Sequence, residues 1–224
     1  MRLPDDFWAK EIIVLRKGLQ IEIPNSNSAI GDLALREINH RVANTLTMLS
    51  AGIRSHFRHV EDPRLRMALK RHESQILGIG ELHRLLGTQP VAAGCDISDY
   101  FQTVCNALVR SVLAPLDLRC EVLLSDGVLP AAACTKLGMV ISELVMNSAK
   151  HAFRDSEGGR LRIQVLREGD YCHCLVSDNG VGLGLRAGGA GTGIVSQLVR
   201  EVGGILRARS GSWGTDVSVV FPIQ

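Results

Sequence analysis

Apolar residues recur at spacings of three and four over two long stretches in the N-terminal part of the chain. Leu35, Ile38, Val42, Leu46, Leu49 and Ile53 fall on one stripe of a helix predicted from about 31 to about 59. The preceding NSNSAIGD offers several caps, and the Glu-Asp-Pro at 61–63 breaks the pattern. Leu65, Leu69, Ile76, Ile79, Leu82 and Leu86 then mark a second helix, predicted over 64–86. Two long helices joined by a short turn make an antiparallel hairpin. Its stripes find little apolar surface within the hairpin itself, so dimerisation into a four-helix bundle is the expected remedy.

The pattern changes after GTQPVAAGCD at 87–96, which reads as a linker. Helices are predicted over 97–113, 131–153 and 192–202. Alternating or continuous apolar runs predict strands over 118–124, 161–166, 171–177, 205–210 and 215–221. Helices and strands that do not strictly alternate suggest an α+β layer fold, with helices on one face of a mostly antiparallel sheet. The expected organisation is an N-terminal extension over 1–30, a helical hairpin over 31–88 and an α+β domain over 96–224.

Composition narrows the picture only a little. The chain has 224 residues, 46% of them hydrophobic, and a formal net charge of +2. That balance supports real cores and points to neither a nucleic-acid nor a membrane surface. Six cysteines without a C-x-x-C pair read as small hydrophobes in a reducing cytoplasm. The N-terminus is apolar for only four consecutive residues, 12–15, which is not a signal peptide, and no run is long enough to cross a bilayer. A cytoplasmic location is expected.

Candidate chemistry begins with His40. It lies two residues from Ile38 and Val42, hence about 200° from each. It points away from the apolar stripe and shares a face with Arg36, Glu37, Asn44 and Thr47. In ISELVMNSAKHAF, Glu143, Asn147, Lys150 and His151 occupy successive turns of the predicted helix. An acid, an amide and an ammonium in a row suit a metal–polyphosphate complex, with an Asn147 oxygen for Mg²⁺, Lys150 for phosphate and Glu143 for a water. DNGVG at 178–182 follows a strand. Asp178 can accept from an exocyclic amine such as that of adenine, and Gly180 and Gly182 permit close backbone approach. GGAGTGIV places Gly191, Thr192 and Gly193 at a helix N-terminus, where backbone N–H groups hold phosphate. In the hairpin GSWGTDVSVVFP, Gly214 and Thr215 either line the same pocket or simply turn the chain.

In order and spacing, these pieces resemble a sensor histidine kinase of the two-component type over about 32–222. ISELVMNSAKHAF resembles the family's N box, DNGVG its G1 box and GTGIV its G2 box. The C-terminal elements resemble the Bergerat ATP-binding fold of gyrase-like ATPases and chaperones. REINHRVANTL resembles the phosphoacceptor helix of the branch that includes the HWE kinases. Ala43 stands where a lysine is common, the expected region holds no W-x-E, and LGLRAGGA is short for a kinase lid.

The resemblance implies that His40 is phosphorylated from ATP, that Asn147 binds Mg²⁺ and that Asp178 contacts adenine. The phosphoryl group is then expected to pass to an aspartate on a response regulator receiver domain. Glu37 is the candidate to orient the imidazole, and Asn44 the candidate to place a water for dephosphorylation of the regulator. The first 30 residues are too few for a sensor domain, so a separate sensor protein or a longer chain is expected to supply the input. The alternatives are a histidine phosphotransfer protein with a degenerate ATP-binding domain and, more remotely, a serine kinase of the anti-sigma kind.

Overall fold

A computed structural model describes residues 28–57, 60–88, 94–153, 158–182 and 190–223. Residues 1–27 of the expected extension over 1–30, and 183–189 of the short lid LGLRAGGA, lie outside them. Helix α1 spans Ser28–Phe57 and α2 spans Pro63–Gly87, packed side by side as the predicted hairpin. The Glu-Asp-Pro break works through its last two residues. Asp62 is the N-cap of α2, its side chain accepting from Arg64 N at 2.8 Å, and Pro63 opens the helix where its missing N–H costs nothing.

The hairpin interface is rotated from the predicted stripe. Among the described side chains of α1, Asn39, Ala43 and Ser50 are the buried ones, whereas Ile38, Met48 and Leu49 remain 56%, 75% and 54% exposed. Small residues allow this close approach: a Cβ at Gly80 of α2 would sit 3.4 Å from Leu46 Cβ. Midway along, Arg54 of α1 donates to the buried Glu73 of α2 at 2.6 Å. The far end of α2 is not left for a partner to cover, because Leu82 and Leu86 are buried in the same core as the α+β unit.

That unit begins with β1 (Cys95–Asp96) and α3 (Ile97–Leu108), capped by Asp96 accepting from Asp99 N at 3.0 Å. The single helix predicted over 97–113 is two pieces. After Leu108 the chain widens into a π-helical turn at Val109–Leu113, then tightens into a 3₁₀ turn at Ala114–Leu116, where Pro115 cannot continue a regular ladder. Next come β2 (Leu118–Leu124), β3 (Val128–Leu129), α4 (Ala131–His151), β4 (Gly159–Glu168), β5 (Tyr171–Asp178), α5 (Ala190–Glu201), β6 (Ile205–Gly211) and β7 (Gly214–Pro222). The short β1 and β3 form an antiparallel pair of their own, an element that the linker reading of 87–96 lacks. The main sheet runs β2-β4-β5-β7-β6. Only β2 and β4 are parallel, and the other three pairings are antiparallel.

The helices cover one face of the sheet. Phe101, Val104 and Leu108 of α3 and Ile141 and Val145 of α4 bury against Ile163 and Val165 of β4 and Val219 and Phe221 of β7. Along β5 the alternation is strict, with Cys172, Cys174, Val176 and Asp178 buried. Asp178 is therefore the last inward-facing position of a core strand, a carboxylate where periodicity demands an apolar residue. Several of the cysteines are buried or half-buried. Burial pushes the thiols of Cys105 and Cys172 up to about 12 and that of Cys120 up to about 11, so the nucleophilic thiolate is suppressed at neutral pH.

Candidate functional site

Three elements meet at Asp178. β5 and β7 are paired in register so that Asp178 lies opposite Thr215. Asp178 Oδ1 accepts from the backbone N–H of Gly180 at 3.1 Å and of Thr215 at 3.2 Å. Oδ2 accepts from the Ser148 hydroxyl of α4 at 2.7 Å. Three donors offset the cost of burying a carboxylate that is only 7% exposed. They also fix its orientation, because Oδ1 is committed to two backbone groups and Oδ2 retains acceptor capacity beside a single hydroxyl. Thr215 is itself buried, and its hydroxyl lies 3.1 Å from Ser210 Oγ. The neighbouring Asp216 carboxyl is held above its ordinary range, first by burial and then by the charge of Asp178.

The glycines of DNGVG have a task in the fold beside the one their pattern suggests. A Cβ on Gly180 would overlap the Ala152 carbonyl at the end of α4, and one on Gly182 the Gly211 carbonyl. The close backbone approach they permit is to the chain itself. It docks the turn after β5 onto the end of α4, and Val181 N donates to Ala152 O at 3.0 Å. Asn179 ties the same turn to β4, accepting from Arg160 N at 2.7 Å. This docking brings the loop that starts at Asp178 beside the last turns of α4.

Those turns carry Glu143 and Asn147, both half-buried, followed by the exposed Lys150 and His151. Ser148, one residue past Asn147, was missed by the sequence reading. Its only signal is its place in ISELVMNSAKHAF, because a serine inside an apolar helix ordinarily bonds back to its own turn. Opposite, α5 starts at Ala190, so Gly191, Thr192 and Gly193 lie within its first turn rather than ahead of it. The first backbone N–H groups of any helix lack intrahelical partners. A side chain on Gly193 would meet only open space. The side chain of Thr192 lies outside what the structure describes.

The donor set fits an adenine nucleotide: a carboxylate acceptor fixed deep in the fold, helix N–H groups suited to phosphate, and an amide with a carboxylate on α4. No group of three or more His, Cys, Asp or Glu side chains among the described residues is placed to hold a metal ion. A Mg²⁺ bound here would take phosphate oxygens and waters for most of its shell, the usual habit of that ion. Asn147 would supply the side-chain oxygen, and Glu143 would accept from one of the waters.

His40 belongs to a separate place. Its side chain is exposed on α1, and its ring edge borders Gly87 at the end of α2. Glu37 does not bond to it. The Glu37 carboxylate accepts from Arg41 Nε at 2.8 Å, and that partner holds its pKa below the usual value, with His40 a lesser influence. Both members of this pair are well exposed, so it contributes little to stability. Asn44, one turn beyond His40, is exposed.

The chain thus joins a helical hairpin with an exposed histidine to a layered α+β unit that buries a hydrogen-bonded carboxylate at Asp178. Residues 37–112 match a family model described as histidine kinase, and residues 107–221 match one described as histidine kinase-like ATPase domain. The chain belongs to the histidine kinase family. It is 32% identical over 202 residues to the sensor histidine kinase PdtaS of Mycolicibacterium smegmatis, covering 86% of this chain and 40% of that protein. It is 26% identical over 224 residues to blue-light-activated histidine kinase 2 of Erythrobacter litoralis, covering 92% of this chain and 63% of that protein. The chain thus spans 40–63% of the length of these curated relatives. Among solved structures, the blue-light activated histidine kinase EL346 of Erythrobacter litoralis shares the fold with a TM-score of 0.58 at 22% identity, over 91% of this chain and 63% of that one. A bacterial phosphotransferase shares it with a TM-score of 0.60 at 12% identity, over 88% and 100%. No described helix is long and apolar enough to cross a membrane.

Proposed function

We propose that this chain is the kinase core of a two-component system, working as a homodimer, with a hairpin unit over 31–88 and an ATP-binding unit over 96–224. The observation that carries the reading is the buried, three-donor carboxylate of Asp178 facing Thr215, with an exposed histidine on the attached hairpin. Asp178 takes the adenine amine, the N–H groups at 191–193 and Lys150 take phosphates, and His151 borders them. Asn147, with Glu143 nearby, would hold Mg²⁺, which would supply charge neutralisation at the phosphate oxygens.

A ring nitrogen of His40 attacks the γ-phosphorus. The bond to the β,γ-bridging oxygen breaks, ADP leaves, and the ring gives up its proton. The chain contributes positioning and charge stabilisation to a reaction that needs little else. Glu37 is the group to accept that proton or orient the ring, for which it must release Arg41. The phosphoramidate then passes its phosphoryl group to an aspartate carboxylate on a response regulator, and Asn44 is placed to hold a water when the regulator is dephosphorylated. His40→Gln should bind ATP with wild-type affinity by calorimetry and take no label from it. Equal labelling of the two proteins would refute the assignment.

Dimerisation follows from what the hairpin leaves uncovered. Ile38, Met48, Leu49, Leu65 and Met67 are each at least half exposed, and Met48, Leu49, Ile53, Val60 and Leu69 line an open apolar groove. Burying a large aliphatic side chain stabilises by about 1.5–3 kcal/mol, so several per chain outweigh the cost of association. Light scattering at tens of micromolar should report a dimer. A monomer there would contradict this part of the reading.

A further inference from the structure

We infer that Gly87, at the last residue of α2, is a positioning residue for His40: the absent side chain is the space in which the imidazole edge sits. A Cβ at Gly87 would lie 3.4 Å from both Cδ2 and Nε2 of His40, and 3.3 Å from Asn39 Cβ. The contact with Asn39 Cβ is tighter than nine in ten real Cβ contacts, those with the ring stand at the edge of ordinary van der Waals contact, and side chains larger than alanine would enter the ring's place. The inference rests on His40 being the phosphoryl acceptor.

What must give way is decided by the residue next door. Asn39 is 6% exposed. Its Nδ2 donates to Leu35 O at 2.9 Å and lies 3.8 Å from Met139 Sδ of α4. That leaves Oδ1 to accept from Nδ1 of His83 on α2, at 2.8 Å, and burial lowers the pKa of His83 and favours its neutral form. These contacts pin α1 to α2 and to α4 one residue from His40. The helix backbone is therefore not free to slide away from a side chain at 87, and the exposed imidazole must move instead. A helical residue has essentially two χ1 wells open to it. Closing the one over Gly87 commits the ring to the other and carries Nε2 to a new place. Displacements of about 1 Å in a reacting group cost roughly a hundredfold in rate.

The test compares Gly87→Ala and Gly87→Val in the full chain. Gly78→Ala serves as a packing control, because a Cβ there would meet Ser111 Cβ at 2.6 Å, far along α2 from His40. Four quantities are read: labelling rate at saturating ATP, KM for ATP, melting temperature, and labelling of His40 by phosphoramidate, which needs no nucleotide. The saturating rate should fall slightly in Gly87→Ala and roughly ten- to a hundredfold in Gly87→Val, with KM unchanged and phosphoramidate labelling falling in the same order. Gly78→Ala should lower the melting temperature and leave both labelling rates alone. Wild-type labelling by both routes in Gly87→Val would overturn the inference, as would Gly78→Ala slowing as much as Gly87→Val. A wild-type protein that takes label from phosphoramidate but not from ATP would overturn the kinase reading alone, and the phosphoramidate series would still decide the role of Gly87.

Discussion

Asp178→Asn should weaken ATP binding roughly ten- to a hundredfold, the cost of about 1–3 kcal/mol for a buried group left without its partner. The geometry says which half of the amide goes where. Two backbone N–H groups, from Gly180 and Thr215, point at Oδ1, so the asparagine oxygen stays with them. Its NH₂ then occupies the Oδ2 position, where Ser148 donates. The serine hydroxyl can turn and accept from it, so the fold survives. An adenine amine arriving at the same place cannot turn, and meets a donor. Calorimetry should show the loss with only a few degrees taken from the melting temperature. Affinity within twofold of wild type would remove Asp178 from the nucleotide site.

Gly214→Ala should be the most damaging small substitution in the C-terminal unit. Gly214 has φ of +124°, and a Cβ there would overlap the carbonyl carbon and oxygen of Asp178. Unfavourable backbone conformation costs about 1–3 kcal/mol, and overpacking adds about 1–3 kcal/mol. At roughly 2–4 °C per kcal/mol for a chain of this size, the melting temperature should drop by about 10 °C, and ATP binding should go with it because the displaced atoms belong to Asp178. Gly169→Ala is the comparison. That glycine also has positive φ, at +60°, but a Cβ there meets nothing within 4 Å, so only the backbone cost applies. Equal melting temperatures for the two variants would show that the Asp178–Gly214 contact is not the tight one described.

The strands β2, β4 and β5 were legible because their burial alternates. The strand predicted over 118–124 is β2, Leu118–Leu124, and the inward positions of β5 fall where period two puts them. The α1 interface was less legible for a physical reason. Hydropathy follows large apolar side chains, whereas α1 meets α2 through Asn39, Ala43 and Ser50, whose small size or hydrogen bonds permit a close approach. Ile38 and Leu49, which define the visible stripe, are left facing outward. The pair β1 and β3 has two residues per strand, too few for any period to register. At the candidate site, Asp178 and Thr215 were singled out from turn chemistry, and the pairing of β5 with β7 sets them opposite each other. Ser148 escaped because its bond is to a residue thirty positions away. The contact between Gly87 and His40 was beyond reach, since it joins the middle of one helix to the end of another and leaves no trace in local pattern.

The central claim is transfer of the γ-phosphoryl group from ATP to His40. The most direct measurement incubates the protein with γ-labelled ATP and Mg²⁺, tests the acid and base stability of the bound label, and maps it to a peptide. A phosphoramidate is lost in acid and survives base, and the label should sit on the peptide containing His40. Label that survives acid, or that maps to a serine or threonine, would contradict the account.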